Sequence, residues 1–217
     1  MNPTNTIFRV CLPLSLSLAY MLFSGSVAAG NQVNPRLSAS VRAVLQHAVS
    51  DQAVPKAIFA SEQEESLWMN EMSQRLTKRI PDLGTRQDFL KTMHYEARRA
   101  GLDPLMVLGL VEVESGFKKY AISRAGARGF MQVMPFWIKE IGRKEDNLFH
   151  LRTNLRYGCT ILRLYLDMEK GNLYRALGRY NGSLGKPEYP NLVRAAWHKY
   201  DRKSGLFGSG NPVTTRY

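Results

Sequence analysis

Apolar positions recur at helical spacing along most of this chain, and in one place they close into a nearly unbroken run. Leu37, Val41, Val44, Leu45 and Ala48 predict a short amphipathic helix over about residues 36–50. Pro55 ends that region. Ser61 to Glu64 has the form of a capping box, and Leu67, Met72, Leu76 and Ile80 carry the period onward. Thr85 with Asp88 predicts the opening of a further helix bearing Phe89, Met93 and Ala97, stopped by Gly101. A long helix is expected over 153–169, with Leu155, Cys159, Leu162 and Leu166 inward and Gly171 closing it. Short helices near 173–179 and 190–200 follow. No stretch alternates over strand length, so the fold class is all-α, with a minor hairpin at most.

The run that closes on itself begins at Asp103, a good N-cap, with Pro104 at the first helical position. Leu105, Met106, Val107, Leu108, Leu110, Val111 and Val113 follow, interrupted only by Gly109 and Glu112. A helix apolar almost all round is a buried, central one. Glu114 lies in its last turn, on the face of Val107, Leu110 and Val111. Burial and the negative end of the helix dipole both disfavour the ionised carboxylate, so its pKa should rise. A carboxylic acid that stays protonated near neutral pH suits a glycosidic leaving group. A buried structural Glu with a hydrogen-bond partner would carry the same local pattern.

A second carboxylate is the usual companion of such an acid, ~5 Å away in retaining glycosidases and farther in inverting ones. Glu112 is two residues back, about 200° round the helix, and faces away. Asp103 is ~16 Å along the axis and is explained by its cap. Asp146 and other distant acids stay open. Locally the pattern favours one carboxylate acting first as acid and then as base.

Residues 117–135 read as loop, punctuated by Gly126 and Gly129. Gln132 offers an amide for hydroxyl or N-acetyl groups, and Met131 a soft apolar surface. Tyr180-Asn181-Gly182 reads as a turn that brings a phenol and an amide together. Trp68, Phe89 and Trp197 are expected to fill the core, while Phe117, Phe136 and Trp137 flank the loop as candidate groove residues. His47, His94, His150 and His198 have no ligand spacing and read as surface or capping residues.

The formal charge of +12 over 217 residues suggests acidic partners. No nucleic-acid motif accompanies it, no Cys/His cluster has zinc spacing, and the charge is dispersed, so nucleic acid is not the expected partner. Residues 1–29 read as a signal peptide: Arg9, an apolar Val10 to Phe23, then Ser26-Val27-Ala28-Ala29 for cleavage. An uncleaved anchor, with membrane association, is the alternative. After cleavage Cys159 is the one remaining thiol, expected in the core without a disulfide. The chain then divides into a helical extension over 30–60, a catalytic domain over 61–205 and a tail over 206–217.

Glu114-Ser115-Gly116-Phe117, the segment Gly126 to Gln132 and the pair Tyr180-Asn181 together resemble the soluble lytic transglycosylases, a lysozyme-like family. The resemblance covers about residues 85–200. It implies that Glu114 is the catalytic acid and that Ser115, Met131, Gln132 and Asn181 line the sugar groove. It also implies that Tyr180 hydrogen-bonds Glu114. Pro135, Asn154 and Gly158 match further family positions. Phe130 replaces a usual Leu, and Arg179-Tyr180-Asn181-Gly182-Ser183 departs from the usual Ala-Tyr-Asn-Ala-Gly. The implied substrate is the glycan strand of peptidoglycan, cut in the periplasm by a monomer to leave 1,6-anhydromuramyl ends, with neither metal nor organic cofactor. A hydrolytic muramidase of the goose-lysozyme kind and a non-catalytic wall-binding or assembly-docking protein are the alternatives. A cell-envelope assembly machine is a further conceivable partner.

Overall fold

The computed structural model describes residue 32 and residues 35–51, 53–56 and 58–201. The expected signal peptide (1–29) and tail (206–217) lie outside the described residues. Eight helices follow in chain order: α1 (Ala39–Ser50), α2 (Glu62–Leu76), α3 (Leu83–Arg99), α4 (Pro104–Ser115), α5 (Phe136–Ile141), α6 (Leu151–Met168), α7 (Leu173–Asn181) and α8 (Glu188–Asp201). No strand occurs among the described residues. The α4–α5 loop carries two isolated antiparallel bridges, Ile122 with Arg128 and Arg128 with Val133. The architecture is all-α, and hairpin pairing is confined to that loop.

Side-chain caps set most helix starts. Ser38, Ser61, Asp82, Asp103 and Asn172 each accept a hydrogen bond from an amide of the first turn. The start of α3 differs from expectation. Asp82, held extended after Pro81, accepts from the Thr85 amide at 2.7 Å, so the helix opens at Leu83 and not at Thr85. The six-residue α5 is too short to register as a period. α7 runs on to Asn181, which makes Tyr180 and Asn181 last-turn helical residues instead of a turn.

α4 occupies the centre. All its residues except Glu112 and Val113 are buried, and α8 is its main partner. Gly109 marks the crossing. A Cβ there would stand 2.6 Å from the Trp197 backbone nitrogen and 2.9 Å from its Cα. A helix-interior glycine costs about 1 kcal/mol relative to alanine; here it is what lets two helix backbones approach. Glu112 faces away from the groove side, as its spacing predicts, and meets Lys199 at 2.5 Å and the Tyr200 hydroxyl at 2.7 Å.

The extension before residue 60 is docked on this body. α1 packs on α5 and α6. Its end is gripped by a buried ion cluster: Glu96 has no exposure and accepts from Arg156 Nη2 at 2.9 Å and Arg99 Nε at 2.9 Å. Arg156 also donates to the Asp51 and Val49 carbonyls. A buried carboxylate is tolerable only with pairing of this kind.

His94 overturns its sequence reading as a surface or capping residue. It is 3% exposed, four residues after buried Leu90 on the inward face of α3. Its ring stacks on Phe59 at 4.0 Å and meets Trp68 edge-on at 4.9 Å. A flat, neutral imidazole fills an aromatic slot, and burial pushes its pKa down to about 4.

Candidate active site

Glu114 sits in the last turn of α4, just before Gly116 ends the helix at φ +57°. The carboxyl is 7% exposed. Burial pushes its pKa up to about 8, against a smaller lowering by the Tyr189 hydroxyl. Tyr189 projects from the first turn of α8 and donates to Glu114 Oε1 at 2.5 Å. Oε2 is buried and has no hydrogen-bond partner. Among the described residues no neighbouring charge contributes to the shift. At neutral pH the group is therefore mainly a neutral acid. With Oε1 accepting from Tyr189, the proton belongs on Oε2, the oxygen left for an acceptor that arrives with a ligand.

The loop after α4 is built around Asn154 of α6. Its Nδ2 donates to the Arg128 and Leu148 carbonyls, both at 2.8 Å, and its Oδ1 accepts from the Met131 amide at 2.8 Å. Gly129, at φ +75°, passes so close that a Cβ would lie 2.4 Å from Asn154 Nδ2. Gln132 takes φ +48°, a left-handed conformation that a side chain adopts at a cost. Its Nε2 closes the loop onto the Gly129 carbonyl at 2.9 Å and the Ala121 carbonyl at 3.1 Å. The Met131 side chain drops into the core, where Gly158 leaves room for its sulfur and Cys159 Sγ lies 3.9 Å from it. The Met131 carbonyl accepts from the Tyr180 hydroxyl at 2.7 Å. Loop, α6 and α7 are thus tied at Met131, beside the α4–α8 pair that carries Glu114 and Tyr189.

Residues 91–191 match the family model described as the transglycosylase SLT domain. Among curated proteins the chain is 30% identical over 126 residues to a transglycosylase of Enterobacteria phage PRD1, which covers 58% of this chain and 46% of that protein. It is 45% identical over 49 residues to membrane-bound lytic murein transglycosylase C of Actinobacillus pleuropneumoniae serotype 5b (strain L20), over 23% of this chain and 13% of that one. The protein of the same name from Glaesserella parasuis serovar 5 (strain SH0165) is 34% identical over 88 residues, 36% of this chain and 24% of that one. The chain spans less than half the length of these relatives. No solved structure matches it.

Within the matched residues the contacts of the side chains singled out in the sequence differ in part from expectation. The hydroxyl on Glu114 is that of Tyr189, while Tyr180 holds the loop. Tyr189 takes the contact expected of Tyr180 because Tyr180 ends α7 against the loop, whereas Tyr189 opens α8 alongside α4. Tyr189 had one sequence signal: it shares the inward face of its helix with Val193 and Tyr200, as a polar-tipped aromatic among buried positions. Ser115 is 9% exposed and donates back to the Val111 carbonyl at 3.2 Å. Asn181 is 5% exposed. Trp137 and Phe117, candidates for the groove, are buried instead, Phe117 edge-on to Phe89 at 5.7 Å. Cys159 is a free, buried thiol whose pKa burial pushes up, so it is packing and not a nucleophile.

Proposed function

We propose that this protein is a peptidoglycan lytic transglycosylase that cuts the bond between N-acetylmuramic acid and N-acetylglucosamine and leaves a 1,6-anhydromuramyl end. One observation carries the reading: Glu114 is a buried acid with no charged partner among the described residues, protonated at neutral pH, with a hydroxyl on one oxygen and the other unpartnered. Glu114 Oε2–H protonates the glycosidic oxygen as the C1–O bond breaks. The substrate's own acetamido oxygen stabilises the positive charge at C1, the task a second carboxylate performs in two-acid glycosidases. The Glu114 carboxylate, kept in place by Tyr189, then takes the proton of the muramyl C6 hydroxyl, and that oxygen closes onto C1. The acid is regenerated and no water is consumed. Intramolecular attack is favoured because the C6 hydroxyl is already tethered to the reacting sugar. Oε2 is covered in the free chain, so glycan binding must displace its cover.

In this reading Asn181 and the loop residues Met131 and Gln132 shape the groove through backbone and packing, and Ser115 and Tyr180 support it. The domain spans 61–205 behind an exported leader, and the site of action is the periplasm. No helix of the described residues is long and apolar enough to cross a membrane. The positive charge favours encounter with an anionic wall polymer.

The test is the product. Muropeptides released from purified peptidoglycan should be ~18 mass units lighter than reducing-end products, by the loss of one water, since the nucleophile is internal. In ¹⁸O-water no label should enter C1. Reducing ends labelled at C1 would identify a hydrolytic muramidase, and binding without release a non-catalytic wall protein.

A further inference from the structure

Gln32 precedes α1 and lies outside the residues matched by the SLT family. It is nevertheless 6% exposed, an unusual burial for a glutamine in a connecting segment. Its Oε1 accepts from the indole Nε1 of Trp137 at 2.9 Å. Trp137 has no exposure, so without this acceptor its N–H would be a buried orphan. The other end of the same carboxamide, Nε2, is also buried, and it makes no hydrogen bond of normal geometry. Burial, then Glu114, push the Tyr180 pKa up, and the Gln32 amide opposes that only weakly. Tyr180 in turn senses Glu114 and donates to the Met131 carbonyl. The rings of Trp137, Tyr165 and Tyr180 stand edge to face in sequence, at 6.2 and 6.5 Å. Gln32 therefore anchors one end of an aromatic row whose far end is the phenol that fixes the loop.

We propose that Gln32 is a positioning residue of the active site: its carboxamide holds Trp137 of α5, and through the Trp137–Tyr165–Tyr180 ring row it sets Tyr180 of α7 and the Met131 carbonyl that Tyr180 bonds. The inference rests on the transglycosylase reading of that site. It places part of the functional unit far upstream of residue 91, where the family match begins. The buried orphan amide is the mark of this role, since a side chain present only to fill space would be apolar. With a leader ending at Ala29, Gln32 would be the third residue of the exported chain. Correct processing would then be a condition for a well-formed site.

Two near-isosteric variants separate the contacts. Gln32→Met keeps the volume and loses both polar contacts. Gln32→Glu keeps an acceptor for Trp137 and lacks the amide hydrogens facing Tyr180. We expect kcat/KM on uncrosslinked glycan strands to fall about tenfold in Gln32→Met, within the ~100-fold that small misplacement of a site can cost. In Gln32→Glu the loss should be smaller, and both variants should unfold within a few degrees of the parent. Binding of the same strands, measured with Glu114→Gln also in place, should weaken on adding Gln32→Met, and Trp137 emission should shift. That binding arm reads Gln32 even if the parent releases no product, an outcome that would instead remove the transglycosylase reading. The proposal is overturned if activity per folded molecule stays within twofold of the parent. It is equally overturned if activity rises, which would make the segment a plug, or if only thermal stability changes.

Discussion

Replacing Glu114 by Gln should stabilise this protein, and the gain should depend on pH. In the unfolded chain the carboxyl ionises near its ordinary value of 4.5; in the folded protein burial holds the proton on until about pH 8. The folded state therefore binds the proton more tightly than the unfolded state. Glu114 costs nothing below pH 4.5, and the cost grows as pH rises through the window up to about 8. At 1.36 kcal/mol per pKa unit it is about 1 kcal/mol near pH 5 and about 4 kcal/mol near pH 8. A glutamine keeps the carbonyl that accepts from Tyr189 and never ionises, so it escapes this cost. It leaves its own buried NH2 to satisfy, but that penalty is the same at every pH and cancels when the two pH values are compared. For a domain of this size 1 kcal/mol is about 2–4 °C in Tm. The Tm difference between Glu114→Gln and parent should thus be larger by roughly 10 °C near pH 8 than near pH 5. Thermal unfolding of both proteins at both pH values is the assay. A difference that does not change with pH would refute the raised pKa and the acid role with it. The same variant should lose at least ~100-fold in turnover, the low end for general acid–base catalysis.

Tyr189→Phe removes the one hydrogen bond that lowers the Glu114 pKa, so the alkaline fall in kcat/KM should move upward by about 1 unit, as loss of a hydrogen bond to a charged group implies. Tyr180→Phe, which acts through the loop, should reduce activity without moving that limb; an unmoved limb in Tyr189→Phe would exclude Tyr189 as the partner of the acid. Buried neutral His94 should make stability fall as pH drops from 6.5 to about 4, because the unfolded chain takes up a proton that the folded one refuses. The loss over that window is at most about 3 kcal/mol, and urea unfolding of His94→Phe should show a flattened acid limb; an unchanged slope would argue that His94 is not the group responsible.

The parts of the fold that were legible in the sequence are those fixed by local chemistry. α4 could be read residue by residue because Asp103 and Pro104 mark its start and nearly every later position is apolar. The inward direction of Glu114 followed from the same helix. Its partner could not be read so easily. Which tyrosine reaches Oε1 depends on how α8 crosses α4, and that crossing is set by the bare backbone at Gly109, a tertiary fact. Gln132 was legible only in part. An amide in a glycine-rich loop suggests sugar recognition, yet its nitrogen is used to close the loop on the Gly129 and Ala121 carbonyls. His94 was hidden because an imidazole carries no sign of whether it will stack or be solvated. Gln32 lay in a segment with no periodicity, and its bond to Trp137 spans 105 residues of sequence.

The cost of holding Glu114 explains the rest of the architecture. A carboxyl with a pKa near 8 must be kept dry, and α4 does so by being apolar on every side but one. Such a helix could be enclosed only if its neighbours came very close, which Gly109 permits on the α8 side. Closeness to α8 then brings Tyr189 to Oε1, and that single donor tempers the shift without ionising the acid. A second carboxylate in the same dry space would raise the pKa still further by repulsion. The burial that keeps Glu114 protonated at neutral pH therefore does so without the help of a second carboxylate. In the proposed reaction the nucleophile then comes from the substrate, where a hydroxyl on the reacting sugar is already at hand.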